Sequence, residues 1–159
     1  MKDIISKITL TDDISLITVY NLRWDIGTTA DLFNKCSDIG LNVDMISQTA
    51  PQGADINLSF TVPDSSLTQV LKLTAKYKEE NLSLRTDVNS SNSKLTFYGE
   101  KMRTSTGVAA FVFSLFAKAN AQIKVVTTSE VEISCLTDSS NIIELKRVIK
   151  EMLNKDIEE

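Results

Sequence analysis

The chain has 159 residues, 42% hydrophobic and 24% charged, the balance of a globular protein that buries a core. Its formal charge is −4, with 17 Lys and Arg scattered among 21 Asp and Glu, so no concentrated basic patch argues for nucleic acid as a partner. No apolar run approaches the roughly 20 residues of a membrane-crossing helix, and Met1-Lys2-Asp3 lacks the layout of a secretion signal. Two isolated cysteines, Cys36 and Cys135, read as small buried hydrophobes, which points to a cytoplasmic protein without membrane association.

In chain order, isoleucine-rich segments at Ile4–Leu10 and Ile14–Tyr20 predict two strands separated by a turn at Thr11-Asp12-Asp13. A loop over Asn21–Gly27 leads to a helix whose Leu32, Phe33, Cys36 and Ile39 recur at helical spacing, with Gly40 ending it. Asn42–Thr49 is expected as a strand, and Ala50-Pro51-Gln52-Gly53 is a strong turn signal. Asp55–Val62 alternates, with Ile56, Leu58, Phe60 and Val62 on one face and polar residues on the other, as in a sheet with one buried face. Pro63-Asp64 then opens a helix with the stripe Leu67, Val70, Leu71, Thr74 and Tyr77, followed by a weaker strand near Leu82–Val88. Asn89–Ser93 is the one linker-like tract, and the module boundary is expected there.

A second set follows in the same order. Lys94–Gly99 is expected as a strand and Val108, Val112, Leu115, Phe116 and Ala119 as a helical stripe, which Phe111 and Phe113 widen toward more than one buried face. Strands near Gln122–Thr128 and Val131–Thr137 come next, then a helix carrying Ile142, Leu145, Val148, Ile149 and Met152, and a frayed tail over Asp156–Glu159.

These two sets are copies. At an offset of eighty residues Gly27 corresponds to Gly107, Ala30 to Ala110, Leu32 to Val112, Phe33 to Phe113, Val43 to Ile123 and Ile46 to Val126. The order strand–helix–strand–strand–helix–strand fits an α+β fold of two ferredoxin-like βαββαβ domains. The second copy is one strand short, and the first has a spare strand ahead of it. Ile4–Leu10 is therefore expected to complete the second copy's sheet, giving a first domain over 14–90 inserted into a second over 91–155 plus the strand 3–11.

Catalytic equipment is sparse. There is no histidine, no CxxC, no phosphate-binding glycine loop and no recognisable nucleophile arrangement, so neither catalysis, a metal nor a cofactor is expected. The loops before the first helix of each copy are richer. Gly27 stands among Asp25, Thr28 and Thr29, and Gly107 follows Thr104, Ser105 and Thr106. Helix N-termini present unpaired N–H groups, a ready site for a carboxylate. Asp44, on the strand expected beside the first loop, could accept an ammonium group, which would make an α-amino acid pocket. The plainer reading is that the glycines permit tight turns, the hydroxyl residues cap helices, and Asp44 is an exposed strand residue.

The strings Asn42-Val43-Asp44-Met45-Ile46-Ser47-Gln48 and Leu58-Ser59-Phe60-Thr61-Val62-Pro63 resemble the first ACT domain of the aspartate kinases. Gly99-Glu100-Lys101-Met102-Arg103, Gly107-Val108-Ala109-Ala110 and Thr127-Thr128-Ser129-Glu130-Val131-Glu132-Ile133-Ser134 resemble the second. This resemblance covers essentially the whole chain. It implies a non-catalytic tandem ACT regulatory region of the aspartokinase family, binding an end-product amino acid, lysine or threonine, at ACT–ACT interfaces for allosteric feedback control. It further implies a homodimer formed through the ACT domains, acting on an aspartate kinase catalytic subunit. The effector residues implied are Asp25, Ile26, Gly27, Thr28, Thr29, Asn42, Val43, Asp44 and Gln48 in the first domain. In the second they are Met102, Ser105, Gly107, Val108, Gln122, Ile123, Ser129 and Glu130. Trp24 and Ile26 replace the family's acid and proline in the first loop, Thr104-Ser105-Thr106-Gly107 lacks the histidine and proline of the second, and Gln122 replaces an asparagine. Those departures leave two readings open: an altered effector site, or a degenerate ACT pair, its pocket filled by Trp24, that serves only as a structural dimerisation module. The chain could be free-standing, a subunit or a fragment of a longer kinase.

An RNA-binding module shares this strand order but needs exposed aromatics on its central strands. Phe60 and Phe97 fall on the inward register of an acidic chain, which argues against it.

Overall fold

The structure is a computed structural model that describes residues 1–80 and 84–158. The chain divides into two compact units, an inserted unit over Asp13–Ser90 and an outer unit made of Met1–Asp12 with Ser91–Glu159. The elements are β1 (Lys7–Arg23), α1 (Ile26–Asp38), β2 (Ile46–Gln48), β3 (Asp55–Pro63), α2 (Leu67–Glu80), β4 (Arg85–Tyr98), α3 (Val108–Lys118), β5 (Val125–Thr128), β6 (Glu132–Asp138) and α4 (Ile142–Leu153). Strand neighbours run β2-β3-β1-β4 in the inserted unit and β1-β4-β6-β5 in the outer one, each with two helices. This is the ferredoxin-like α+β order that the sequence predicts.

In the inserted unit β3 pairs antiparallel with β1, Ile17 opposite Phe60 and Val19 opposite Leu58, and with β2, Ile46 opposite Phe60. The strict alternation of β3 puts Ile56, Leu58, Phe60 and Val62 into one core with Leu32 and Cys36 of α1 and Val70, Leu73 and Tyr77 of α2. Phe33 meets Phe60 edge-on at 5.6 Å. The α2 stripe differs from expectation at one position: Leu73 is buried and Leu71 is half exposed, because 70, 73, 74 and 77 form one helical face and 71 lies about 100° away from 70. Ile39, at the end of α1, is likewise partly exposed.

In the outer unit the Ser6 amide donates to the Tyr98 carbonyl at 2.8 Å, so the opening segment does complete this sheet. Ile5, Ile8 and Leu10 join Leu95, Phe97, Phe116, Leu145 and Ile149 in its core. Phe111 packs partly against that core, whereas Phe113 is 44% exposed, so α3 buries one broad face and leaves Phe113 outside it.

Four local expectations are corrected. Thr11-Asp12-Asp13 is not a turn: β1 runs unbroken, and one residue, Asp13 at φ 57°, absorbs the irregularity in the left-handed region that aspartate tolerates. Asn89–Ser93 is not a linker but lies inside β4, with Ser91 at φ 60°. Asn92 and Ser93 are buried there and hydrogen-bonded, Asn92 to Lys124 and Ser93 to Asp12 and Ser139. The strand expected over Asn42–Thr49 shrinks to β2. Asp44 and Met45 both face Thr61, whose carbonyl accepts the Asp44 amide and whose hydroxyl accepts the Met45 amide, the two-against-one count of a β-bulge. The tail is not frayed at Glu158: its amide donates to Ile8 and its carbonyl accepts from Leu10, adding a parallel bridge to β1. Of the weak strand at Leu82–Val88, Leu82 and Ser83 lie outside the described residues, and the part from Arg85 belongs to β4.

Candidate functional site

The two helix-opening loops, alike in sequence, differ in geometry. In the inserted unit β1 extends to Arg23, opposite Asp55, and the Trp24 amide donates to Ala54, so only Trp24 and Asp25 connect it to α1. Asp25 is the N-cap residue of α1. Its carboxylate accepts the Thr28 amide at 2.9 Å and the Thr28 hydroxyl at 3.1 Å. Those bonds, the backbone one foremost, hold the Asp25 carboxyl below the usual carboxylate range. Gly27 therefore sits inside the first turn rather than opening the helix, and the positive end of α1 already faces a carboxylate from its own chain. Trp24 is 60% exposed and Ile26 83%, so the indole does not fill a pocket here.

A cleft of about 500 Å³ beside this loop is lined by Asn21, Leu22, Arg23, Thr28, Ala54, Asp55 and Leu84. Thr28 alone among the first domain's candidates lines it. Thr29 donates its amide to Asp25, Val43 packs partly on the core, and Asn42, Asp44 and Gln48 are exposed on or beside β2.

The outer unit is built otherwise. After β4, Glu100–Thr104 forms a 3-10 turn, and Gly107 takes φ 80°, a left-handed conformation that suits glycine. Gly107 is the N-cap of α3 and supplies no side-chain hydrogen bond, so the first-turn amides of α3 have no side-chain acceptor. In front of them lies a cleft of about 280 Å³ lined by Met102, Ser105, Gly107, Val108, Ala109, Thr128, Ser129, Glu130 and Ile133. Six of the eight candidates read from this copy converge here. Gln122 and Ile123 do not: the Gln122 carbonyl accepts from Thr137, and Ile123 packs against the core.

The cleft's rim is charged. Glu130 pairs with Arg103, which also reaches Glu100 at 3.5 Å. The Tyr98 hydroxyl donates to Glu100; that bond, with Arg103 beside it, holds the Glu100 carboxyl low, and the same bond pushes the Tyr98 hydroxyl up. Ser105 donates to the Lys101 carbonyl at 2.7 Å, and the Ser129 oxygen accepts the Val131 amide at 3.3 Å. The cleft thus offers unbonded helix amides at its apolar base and a carboxylate–guanidinium pair at its edge. Sequence reading missed Arg103, Ala109, Thr128 and Ile133 as parts of it, although all four stand in the strings that carry the family resemblance. It missed Arg23 and Asp55 of the other cleft altogether, since an acid opening an alternating strand carries no local signal. Among the described residues no group of three or more Cys, Asp or Glu is placed to hold a metal ion, and no helix is long and apolar enough to cross a membrane.

Residues 95–153, which frame the outer cleft, match the ACT domain family. The chain is also 25% identical to a chain of the aspartokinase alpha and beta subunit structure, with a TM-score of 0.84 over 95% of this chain and 99% of that one. It carries the tandem ACT fold of an aspartokinase regulatory region. A regulatory subunit of aspartate kinase from Thermus thermophilus, in its ligand-free form, shares the fold with a TM-score of 0.84 at 22% identity, over 92% of this chain and 97% of that one. Aspartokinase 2 of Bacillus subtilis is 28% identical over 140 residues, which is 88% of the ACT tandem but 34% of that protein. The ACT tandem therefore spans about a third of the length of this relative. The stretch of aspartokinase that this chain resembles is thus one with the fold of a regulatory subunit.

Proposed function

We propose that the ACT tandem is an amino-acid sensor that regulates an aspartate kinase catalytic subunit, and that the outer unit's cleft holds the effector. The observation that carries this reading is the pair of unlike helix starts. The α1 N-terminus is occupied by Asp25, whereas the α3 N-terminus opens into a cleft with no carboxylate on its amides. An effector α-carboxylate would accept from the Val108–Ala110 amides. Its ammonium group would face Glu130 at the rim, in competition with Arg103. About 280 Å³ suits a free amino acid and is small for a nucleotide. Lysine and threonine are the effectors to expect from the resemblance to aspartokinases, and the tandem is expected to act as a homodimer joined through its ACT domains. Regulation would be a population shift, limited by the effector's differential affinity for two arrangements of the assembly.

Titration calorimetry of the whole chain with each common amino acid tests the reading. Binding of lysine or threonine, weakened by about tenfold or more in Glu130→Gln, supports it. Binding lost in Asp44→Ala but kept in Glu130→Gln would move the site to the inserted unit. No heat and no thermal shift with any amino acid would favour the second reading, a purely structural ACT pair, for which the self-capped α1 is the supporting observation.

A further inference from the structure

One ion pair lies across the mouth of the outer unit's cleft. Met102 and Ser105 belong to one wall of that cleft, and Ser129 and Glu130 to another. Arg103 stands between the first two in the chain, on the 3-10 turn Glu100–Thr104, and its guanidinium pairs with Glu130 on the turn between β5 and β6. The two side chains are 52% and 74% exposed, so the pair is screened by water and opens at little cost.

Arg103 has a second acceptor. One carboxylate oxygen of Glu100, on the same 3-10 turn, lies 3.5 Å from its Nε. The Tyr98 hydroxyl donates to the other oxygen, and that bond, ahead of Arg103 itself, holds the Glu100 carboxyl low. Glu100 therefore stays charged and in place whether or not Arg103 holds Glu130. The guanidinium has one carboxylate across the cleft and another on its own side.

The inserted unit is made differently. At the eighty-residue offset Arg23 corresponds to Arg103, but Ala50 stands where Glu130 does. There the turn's own Asp25 serves the helix amides, whereas the outer unit has a side-chain pair at the mouth of its cleft.

We propose that Arg103 gates the effector cleft: it holds Glu130 while the cleft is empty and retreats to Glu100 when an ammonium group takes Glu130. This rests on the reading that the cleft holds an amino acid. The Arg103–Glu130 pair is then a competitor built into the protein. Apparent affinity falls by the fraction of molecules in which Glu130 is already taken. A ligand without a cationic group has nothing with which to displace the guanidinium.

Titration calorimetry of the full chain with L-threonine and with L-lysine tests the gate, on the parent, Arg103→Gln, Glu100→Gln and the double variant. Both altered side chains are exposed, so the fold is expected to survive. Arg103→Gln is expected to bind the amino acid about 1.5- to 5-fold more tightly, the worth of an exposed ion pair. Glu100→Gln removes the second acceptor and is expected to weaken binding. In the double variant that weakening is expected to vanish, a coupling that independent structural roles would not produce. Binding that appears only once Arg103 is replaced would support the gate in its strongest form. Parent binding that is unchanged or weaker in Arg103→Gln, or a Glu100→Gln loss that persists without the arginine, would overturn the gate and leave the amino-acid reading standing. Binding of neither amino acid to any of these proteins would overturn both.

Discussion

Gly99 and Ile4 leave no room for a side chain between them: a β-carbon built on Gly99 would stand 1.8 Å from the Ile4 carbonyl oxygen. Gly99 has an extended backbone at φ −176°, so the constraint is steric and not conformational. Its amide also donates to the Val131 carbonyl at 2.9 Å, fixing the end of β4 from the other side. Gly99→Ala must push the opening segment away from Tyr98. Backbone displacement of this kind costs about 1–3 kcal/mol or more. Chemical denaturation should show that loss, and hydrogen exchange should show the Ser6 amide exposed. An unchanged denaturation midpoint would mean that the segment is not seated against Gly99.

The cap on α1 predicts a dependence on pH. Asp25 has a depressed carboxyl pKa in the folded chain, so its contribution is present above the unfolded value, near 3.9, and disappears as pH falls through the folded value. At pH 7, Asp25→Ala should lower the melting temperature, because the Thr28 amide loses its acceptor. Once the pH is below the folded value, the variant and the parent should converge. Thermal melts across that range check it, and a gap that persists at low pH would show that the side chain acts by something other than its charge.

Most of this architecture is legible in the residues. The eighty-residue offset, the clean alternation of Asp55–Val62 and the α3 and α4 stripes are strong periodic signals that the packing follows. Punctuation residues misled where tertiary pairing overrode them. Asp12-Asp13 and the Asn-Ser tract have turn composition, yet β1 and β4 run straight through them, taking up a left-handed residue at Asp13 and at Ser91. Buried hydrogen bonds to Lys124 and Ser139 fix Asn92 and Ser93, and no window of sequence contains those partners. The candidate site was legible where the copy matches the ACT strings, from Met102 to Glu130. It was misleading around Asp25, whose carboxylate serves the backbone three residues on. A loop motif lists donors and acceptors without saying which of them the chain uses itself.

Both thiols should be silent in the folded protein. Burial alone pushes Cys36 up to about 11 and Cys135 up to about 12, and both side chains are essentially inaccessible. At pH 8 neither carries appreciable thiolate, which is the reactive form. An aromatic disulfide reagent should therefore titrate no thiol in the native chain and two after denaturation. The sign of the linkage is opposite to that of Asp25. The raised folded values contribute stability that is intact below the unfolded thiol value, about 8.5, and is lost as pH climbs toward 11. Rapid native-state labelling at pH 8 would show that one of the cores opens far more often than its packing implies.

Two phenylalanines three residues apart on α3 offer the sharpest test of which face that helix buries. Phe116 is 2% exposed and meets Phe97 at 6.4 Å in an edge-on contact, whereas Phe113 is 44% exposed. Removing the Phe116 ring leaves a cavity beside Phe97 in the core of the outer unit. Phe116→Ala should then cost about 3–5 kcal/mol. Phe113→Ala should stay within about 1 kcal/mol, since its ring gives up little buried surface in the isolated chain. The expected order holds as long as α3 packs through a single face. If the two variants were equally destabilised in dilute solution, where any self-association is absent, Phe113 would have to be buried as well and the α3 orientation would be wrong. If they separated in dilute solution but converged as protein concentration rose, Phe113 would be covered by a second copy, which would place α3 in a dimer interface.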